Sequence, residues 1–224
     1  MVDPTVRQHH RTAHGPHDLP RDLDGGRPNW EEIYAGRPRW DIGRPQPAFL
    51  ALVQSGAIAG RVLDVGCGTG EHVLMCAAAG LDATGVDIAA AAISAAERKA
   101  RERGSTARFL RHDVRQLAAF GESFDTVLDS GLLVHVLDDE QDRAAYLHGL
   151  RTVLRPGGRY FVLCFSGPCF SGPQAGTTAR HLLREDIAAC FADGWRIDSI
   201  EATALDSRTD RVGIPAWLVA LTRT

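Results

Sequence analysis

The sequence predicts an α/β fold built on a doubly wound, seven-stranded sheet that is mostly parallel, with an antiparallel edge strand and helices on both faces. Two observations carry this prediction. From Arg61 onward, short apolar runs rich in β-branched residues alternate with helical segments, and glycine or Pro-Gly closes most of those segments. Such alternation favours parallel strands joined by helical crossovers. The last two apolar runs have no helix between them, so we expect them to pair antiparallel at one edge.

The first element expected is an N-terminal tail, residues 1–28, which is polar and lacks apolar periodicity. Its four histidines are His9, His10, His14 and His17, and we interpret them as solvated side chains and expect no metal site. Ordered structure is expected from residue 29, where Asn29 caps the helix that begins NWEEIYAG. Residues 29–224 are predicted to form one domain, with N-terminal helices within 29–58 and the sheet within 61–224.

Strands and helices then follow in strict order. The predicted helices are Gly70–Ala79, closed by Gly80; Ile88–Arg103, stopped by Gly104; residues 138–154, ended by RPGG; and Leu182–Phe191. The predicted strands are RVLDV, LDATGVD, ARFLRHD, SFDTVLD, RYFVLCF, WRIDSIEAT and PAWLVALT.

Composition narrows the class of protein. The 224 residues are 44% hydrophobic and 24% charged, as in ordinary globular domains. A net charge of −3 shows no basic footprint for nucleic acid. No apolar stretch approaches the roughly 20 residues of a membrane span, and no signal peptide is visible. We therefore expect a cytoplasmic monomer or homodimer that acts on a small molecule, with neither nucleic acid nor membrane as partner.

Residues 62–74, VLDVGCGTGEHVL, place three glycines at alternate positions directly after the first strand. In a doubly wound sheet, this strand–helix turn lies at the ligand-binding edge. A dinucleotide turn requires G-x-G-x-x-G, whereas here Glu71 follows Gly70. A carboxylate at a helix N-terminus repels a diphosphate. The turn therefore favours a ligand without phosphates.

Two further strand ends carry acids. Asp87 ends the second strand, where a carboxylate can accept hydrogen bonds from a ribose diol. Asp113 and Val114 end the third strand and suit the amino group and one face of an adenine ring. The alternative is that Asp87 and Asp113 only cap the helices that follow them.

The segments VLDVGCGTG, GVDIA, RHDV, FDTVLDSG and LRPGGRY, in this order, resemble the successive motifs of class I S-adenosylmethionine-dependent methyltransferases, which have a Rossmann-like fold. The resemblance implies that the Asp64–Gly70 turn borders the methionine end, that Asp87 holds the ribose, and that Asp113 and Val114 flank the adenine. The reaction site would follow the fourth strand. The expected cofactor-binding residues are Trp40, Arg44, Asp64, Gly66, Cys67, Gly68, Gly70, Asp87, Ile88, Asp113, Val114, Ser130 and Gly131.

A narrower resemblance rests on RWDIGRPQPAF, DSG, DRAAY, RPGGRY, LCFS and FADGW, which are similar to bacterial methyltransferases of the thiopurine, thiol and halide group. It implies that Trp40–Arg44 belongs to an N-terminal lid, residues 29–58, with Arg44 placed for the methionine carboxylate. The chain departs from the group at DSGLLVHVLDD, where relatives read closer to DSGLFHVF. This departure falls beside the reaction site and leaves the acceptor open.

Methyl transfer from a sulfonium is an in-line displacement that depends on positioning, and a hydroxyl acceptor also benefits from a base. His135 is the candidate base, with packing in an apolar stretch as the alternative. Tyr34, the second catalytic candidate, is expected to join Trp30 and Trp40 in an aromatic wall over the sulfonium. The alternative is that these rings attach the N-terminal helix to the core. The loop of residues 166–176 either contacts substrate or is a connector.

The function predicted is transfer of a methyl group from S-adenosylmethionine to sulfur or oxygen of a small molecule, a thiol or a phenol or quinol, with S-adenosylhomocysteine as product. Two alternatives remain open at this point. One is a nicotinamide-dependent oxidoreductase, which Glu71 disfavours. The other is a catalytically silent protein that binds S-adenosylmethionine.

Overall fold

A computed structural model of the protein describes residues 28–137, 139–166, 181–210 and 212–224. Seven strands occur in these ranges: β1 (Arg61–Val65), β2 (Asp82–Asp87), β3 (Arg108–Arg111), β4 (Phe124–Ser130), β5 (Leu154–Phe165), β6 (Trp195–Leu205) and β7 (Ile214–Arg223). The α-helices are α1 (Trp30–Ala35), α2 (Pro47–Gln54), α3 (Glu71–Ala78), α4 (Ala90–Glu102), α5 (Leu133–Val136), α6 (Glu140–Val153) and α7 (Arg184–Cys190). A 3₁₀ helix covers Val114–Ala119.

All seven strands belong to one sheet in the order β3-β2-β1-β4-β5-β7-β6. The first five run parallel, while β7 pairs antiparallel with both β5 and β6. The predicted fold class is confirmed. The reversed strand lies one position inside the edge, because β7 fills the free side of β5 and leaves β6 outermost.

Helices cover both faces of the sheet, and the period of two along each strand separates two apolar clusters. One cluster combines Leu63 and Val127 with Leu133, Tyr146 and Ile187 from α5, α6 and α7. The other cluster combines Val62 and Phe161 with Phe49, Val73 and Ile93 from α2, α3 and α4. Ligands of such a sheet are expected beyond the carboxyl ends of β1, β2 and β4.

Element boundaries differ from the prediction in three places. A short helix, α5, occupies LVHV just after β4, where none was predicted. The RPGG segment lies inside β5, which begins at Leu154 and pairs with β4 through an irregular register. Asp113 and Val114 do not end the third strand as predicted: β3 ends at Arg111, and Asp113 caps a 3₁₀ helix that begins at Val114. Residues 1–27 of the predicted tail, with its four histidines, and most of the 166–176 loop fall outside the described residues.

Within the described ranges, no helix is long and apolar enough to cross a membrane.

Candidate active site

A cavity of about 360 Å³ opens at the carboxyl ends of β1, β2 and β4. Among the predicted cofactor residues, those that line it are Trp40, Arg44, Gly66, Cys67, Gly68, Gly70, Asp87, Ile88, Asp113, Val114, Ser130 and Gly131. Tyr34 and His135 line it as well. Asp64 lies beneath the wall, only 1% exposed. The structure thus gathers these residues around one volume, and their contacts with a ligand stay a prediction.

The glycine turn is fastened to the second strand by hydrogen bonds. The N–H of Cys67 donates to the carbonyl of Val86, and the N–H of Gly68 donates to Oδ2 of Asp87, each at 2.9 Å. The end of β2 therefore fixes the turn through hydrogen bonds within the protein.

Two glycines of the turn also admit close protein neighbours. A Cβ at Gly66 would lie 3.2 Å from the side chain of Leu132, just before α5. A Cβ at Gly68 would lie 2.7 Å from the hydroxyl oxygen of Tyr34. Both glycines have positive φ, 67° and 53°. Gly66 therefore leaves room for Leu132 in the segment after β4, and Gly68 leaves room for Tyr34 of α1. The sequence analysis expected these glycines to admit a ligand and did not predict either protein neighbour.

Asp87 serves structure and leaves room for a ligand. Its Oδ1 accepts the N–H of Ala89 at 2.9 Å and its Oδ2 accepts that of Gly68. Burial raises the pKa of Asp87 to about 6, although these hydrogen bonds oppose the shift. A carboxylate oxygen can accept two hydrogen bonds, so each oxygen retains capacity for a ribose hydroxyl. Capping and ribose binding are compatible at this residue.

Asp113 caps the 3₁₀ helix, as the alternative interpretation expected. Its Oδ1 accepts the N–H of Arg115 at 3.0 Å, and the Arg115 guanidinium contacts both carboxylate oxygens. Arg115 also lies 3.4 Å from Asp142. Asp113 and Val114 nonetheless line the cavity, and the adenine contact predicted for them stays a prediction.

The electrostatic argument drawn from Glu71 was wrong in its premise. Lys99 Nζ lies 2.8 Å from Oε1 of Glu71, and Arg103 Nη1 lies 2.8 Å from Oε2. Burial by itself would raise the pKa of Glu71, but hydrogen bonds from Arg103 and Lys99 outweigh it and hold the pKa below its ordinary value. Two cations therefore neutralise this carboxylate, so it does not by itself exclude a phosphate from the turn.

Lys99 and Thr69 hold the N-terminal segment, residues 28–46, against the glycine turn. The hydroxyl of Thr69 donates to Asp41 at 3.0 Å and accepts from Lys99 Nζ at 2.7 Å. Sequence reasoning missed this role of Thr69 and Asp41, because partners 28 residues apart leave no local signal.

His72 links the turn to the start of α2. Its Nε2 accepts the backbone N–H of Gln46 at 3.1 Å, so Nδ1 carries the proton of the neutral ring. That Nδ1 lies 3.7 Å from Oδ2 of Asp64. The Asp64 oxygens accept no hydrogen bond from the described part of the chain.

The N-terminal segment is also clamped to the loop after β6. The side-chain amide of Gln46 exchanges two hydrogen bonds with the Asp206 backbone, at 2.8 and 3.0 Å. Arg44 Nη2 lies 2.6 Å from Oδ2 of Asp206. Arg44 therefore already has an anionic partner, although it lines the cavity. Arg39, half-buried and also on the cavity wall, has a pKa lowered by desolvation.

Three aromatic side chains of the N-terminal segment pack together on the cavity wall. Trp30 and Tyr34 each meet Trp40 edge to face, with ring centroids 6.3 and 6.4 Å apart. The indole N–H of Trp40 donates to the Tyr34 oxygen at 3.1 Å. Burial, with a smaller effect of Asp87, raises the pKa of Tyr34 well above its ordinary value, so its phenol stays protonated. Tyr34 can donate a hydrogen bond here but cannot act as a base.

His135 lies on α5, half-buried on the cavity wall. Its ring meets Trp30 edge to face with centroids 5.0 Å apart. The backbone N–H of His135 donates to the carbonyl of Leu132 at 2.8 Å. The neighbouring Ser130 and Gly131 line the same wall. No cluster of potential metal ligands occurs among the residues that the structure describes.

The fold and this site define a class. A family model described as a methyltransferase domain matches residues 62–158, from β1 into β5. The chain is a member of the class I S-adenosylmethionine-dependent methyltransferases, and S-adenosylmethionine is its cofactor. The oxidoreductase alternative is therefore wrong.

Particular relatives refine this placement. The chain is 34% identical over 184 residues to a 2-heptyl-1-hydroxyquinolin-4(1H)-one methyltransferase of Mycobacteroides abscessus, covering 80% of this chain and 78% of the relative. It is 34% identical, with a TM-score of 0.77 and coverage of 87% and 91%, to a structure solved for the conversion of a disulfide bond into a thioacetal group during echinomycin biosynthesis. The magnesium protoporphyrin IX methyltransferase of Synechocystis PCC 6803, with the cofactor bound, shares the fold at 22% identity, TM-score 0.61 and coverage of 79% and 77%.

The residues present suit this cofactor. The buried Asp87 carboxylate retains acceptor capacity for a ribose diol, and the aromatic rings of Trp30 and Trp40 offer a surface for a sulfonium. The cofactor supplies the activated methyl group. Asp87, the glycine turn and the aromatic residues are the candidates that would hold it in place.

Proposed function

We propose that the protein transfers a methyl group from S-adenosylmethionine to a hydroxyl oxygen of a small, largely apolar aromatic molecule. The observation that carries this proposal is the position of His135. Its imidazole meets the Trp30 ring on the wall of the cavity, on the helix that directly follows the end of β4. An imidazole beside the Trp30 ring suits an acceptor that has an apolar body and one acidic hydroxyl.

The chain's own residues perform three tasks in this proposal. Trp30, Trp40 and Tyr34 cover the site and exclude water, which strengthens electrostatic interactions inside it. The cavity walls would position the acceptor oxygen against the activated methyl group that the cofactor supplies, and such positioning accounts for much of the acceleration. His135 accepts the proton of the acceptor hydroxyl as the oxygen attacks, a contribution of about 10²–10⁴ in rate.

The relatives support an acceptor of this kind. The Mycobacteroides abscessus relative is named for a hydroxyquinolinone substrate. A sulfur acceptor is the second candidate, because the structural relative of 34% identity was solved for a conversion of disulfide to thioacetal. Thiols ionise more readily than hydroxyls and need no strong base, so this site can accommodate both classes.

A radiolabelled-methyl transfer screen tests the proposal. Purified protein is incubated with labelled S-adenosylmethionine and a panel of hydroxyquinolones, phenols, quinols, thiols, halides and purine analogues. We expect the largest kcat/KM with an aromatic hydroxyl, and mass spectrometry should place the methyl group on that oxygen. Transfer to thiols or halides alone would replace the hydroxyl proposal. Tight binding of S-adenosylhomocysteine without transfer to any acceptor would indicate a silent binding protein.

A further inference from the structure

Three side chains from three elements meet inside the apolar cluster behind the reaction site. Asp129 at the end of β4 is 0% exposed, as are Tyr146 on α6 and Tyr160 on β5. The phenol of Tyr146 donates to Oδ2 of Asp129 at 2.6 Å, and that of Tyr160 donates to the same oxygen at 2.8 Å. The two phenol oxygens lie 3.0 Å apart. We call these three residues the buried triad.

The second oxygen of Asp129 serves the reaction-site segment. Oδ1 accepts the backbone N–H of Leu132 at 2.9 Å and that of Leu133 at 3.2 Å, at the start of α5. An ionised carboxylate can accept about four hydrogen bonds, and all four are made here. Burial raises the pKa of Asp129 to about 6, with the tyrosine hydrogen bonds opposing the shift, so the group is largely ionised at neutral pH.

The segment held in this way is the one that carries the proposed base. Leu132 accepts the N–H of His135 through its carbonyl, and its side chain lies against Gly66 of the glycine turn. A helix of four residues has too few internal hydrogen bonds to fix its own position. Apolar packing of Leu133 and Val134 holds α5 against the sheet, and the Asp129 bonds add a directional restraint at its start.

We propose that Asp129, locked by Tyr146 and Tyr160, is a positioning residue for methyl transfer. Its carboxylate fixes the backbone at the start of α5 and so aligns His135 with the acceptor. The inference rests on the proposed function, because it acts through His135. It concerns hydrogen bonds accepted by Asp129 and does not require its negative charge.

Two substitutions at Asp129 separate the need for its hydrogen bonds from the need for its negative charge. Asp129→Asn keeps an oxygen for the two α5 amides and places an N–H₂ group toward the two phenols. Asp129→Ala removes both sets of bonds. We expect Asp129→Ala to lower kcat about 100-fold, as for a misplacement of about 1 Å, and the Asn variant to lose less than about tenfold. The Kd for S-adenosylhomocysteine should stay within about threefold in both.

Leu150→Ala is the matched control, since Leu150 is fully buried on α6, one turn beyond Tyr146, in the same apolar cluster. Leu150→Ala should lower Tm about as much as Asp129→Ala does, while leaving kcat close to the wild-type value. An equal loss of kcat in Leu150→Ala and Asp129→Ala at matched Tm would overturn the positioning role. So would a loss in Asp129→Asn as large as in Asp129→Ala.

The route through His135 is tested by a double-mutant cycle. In a His135→Ala background, Asp129→Ala should cost no more than about threefold further in kcat. Fully additive losses of kcat in the double variant would refute the route through His135.

Hydrogen exchange gives a readout that needs no turnover. The peptide covering residues 130–137 should exchange faster in Asp129→Ala and in the double variant Tyr146→Phe/Tyr160→Phe, but not in Leu150→Ala. If wild type methylates nothing, the proposed function fails, while unchanged exchange would refute this inference separately.

Discussion

The backbone N–H of Gly68 donates a hydrogen bond to Oδ2 of Asp87 at 2.9 Å. The glycine turn and the proposed ribose carboxylate are therefore one structural unit, joined by a hydrogen bond within the protein. A ligand that binds Asp87 therefore also affects the position of the turn, and a substitution at Gly68 or Asp87 should alter the position of the other residue.

Cofactor affinity should depend on pH through Asp87. Its pKa lies near 6 in the free protein because the group is buried. Hydrogen bonds from a ribose diol favour the ionised form, so the Kd for S-adenosylhomocysteine should rise as pH falls below about 6 and level off above it. Isothermal titration calorimetry between pH 5 and 8 measures this. An Asp87→Asn variant should bind more weakly, and its affinity should not vary through this window.

Folding stability also depends on the pKa of Asp87, but it should fall as pH rises, whereas cofactor affinity should increase. Because the folded-state pKa lies above the ordinary 3.8, Asp87 contributes stability below about pH 3.8 that is lost as pH rises through about 6. The shift corresponds to about 3 kcal/mol. The free energy of unfolding of Asp87→Asn, relative to wild type, should therefore improve from pH 5 to pH 7. A difference that is independent of pH would contradict the raised pKa.

Gly68→Ala should weaken cofactor binding, and Tyr34→Phe should partly restore it. An alanine Cβ would lie 2.7 Å from the Tyr34 hydroxyl oxygen but 3.5 Å or more from the ring carbons. Removing the hydroxyl relieves the clash, whereas the left-handed φ of 53° keeps a cost of about 1–2 kcal/mol. The measurement is the Kd of S-adenosylhomocysteine in both single variants and the double variant. Additive losses would show that the two residues do not meet.

Arg39 and Arg44 should differ in their effect on the methionine carboxylate. Arg44 is exposed and paired with Asp206, so Arg44→Gln should change the cofactor Kd less than about threefold. Arg39 is half-buried on the cavity wall, and its backbone carbonyl accepts the N–H of Arg208 at 2.8 Å. We expect the Arg39 guanidinium to contact the methionine carboxylate from the cavity wall, so Arg39→Gln should remove a desolvated charge-assisted contact and weaken binding tenfold or more.

Methylthioadenosine provides the control for this comparison, because it keeps the adenosine and lacks the amino-acid carboxylate. Arg39→Gln should bind it as wild type does. If Arg44→Gln weakens binding of the intact cofactor more than Arg39→Gln does, the sequence-based prediction that Arg44 binds the methionine carboxylate would be favoured.

His135→Ala should leave the cofactor Kd unchanged and slow aromatic hydroxyl acceptors about 100-fold, since these depend on proton removal. Thiol acceptors should slow less than about tenfold, because a thiolate forms near neutral pH without help. Steady-state kcat for one acceptor of each class decides the matter. Equal slowing of both classes would show that His135 contributes packing against Trp30 and not proton transfer.

The parts of the fold that sequence reasoning predicted are those with local signals. Strand period, glycine at helix ends and acids at strand ends each arise within a few residues. They sufficed for the sheet and for the gathering of Asp87, Asp113 and the glycine turn around one cavity. The four-residue helix α5 was missed because an apolar stretch as short as LVHV shows no helical period.

The contacts that sequence reasoning could not supply are long-range ones. Glu71 was interpreted from its place beside the turn, but its cations are Lys99 of α4 and Arg103, the residue that follows α4. The triad of Asp129, Tyr146 and Tyr160 similarly depends on three elements meeting. In both cases the partner, and not the residue alone, sets the charge or position that matters at the site.

The clamp between Gln46 and Asp206 joins positions 160 residues apart, from opposite ends of the chain. During synthesis the domain is made from its N-terminus, and contacts of this separation form last. A nascent chain halted before β6 already contains the glycine turn and Asp87. Thr69 and His72 already contact Asp41 and Gln46 in such a chain, but the Asp206 side of the clamp is still missing. Cofactor retention should therefore report on the formation of β6 and of the loop that carries Asp206, far along the chain from the residues that bind the cofactor.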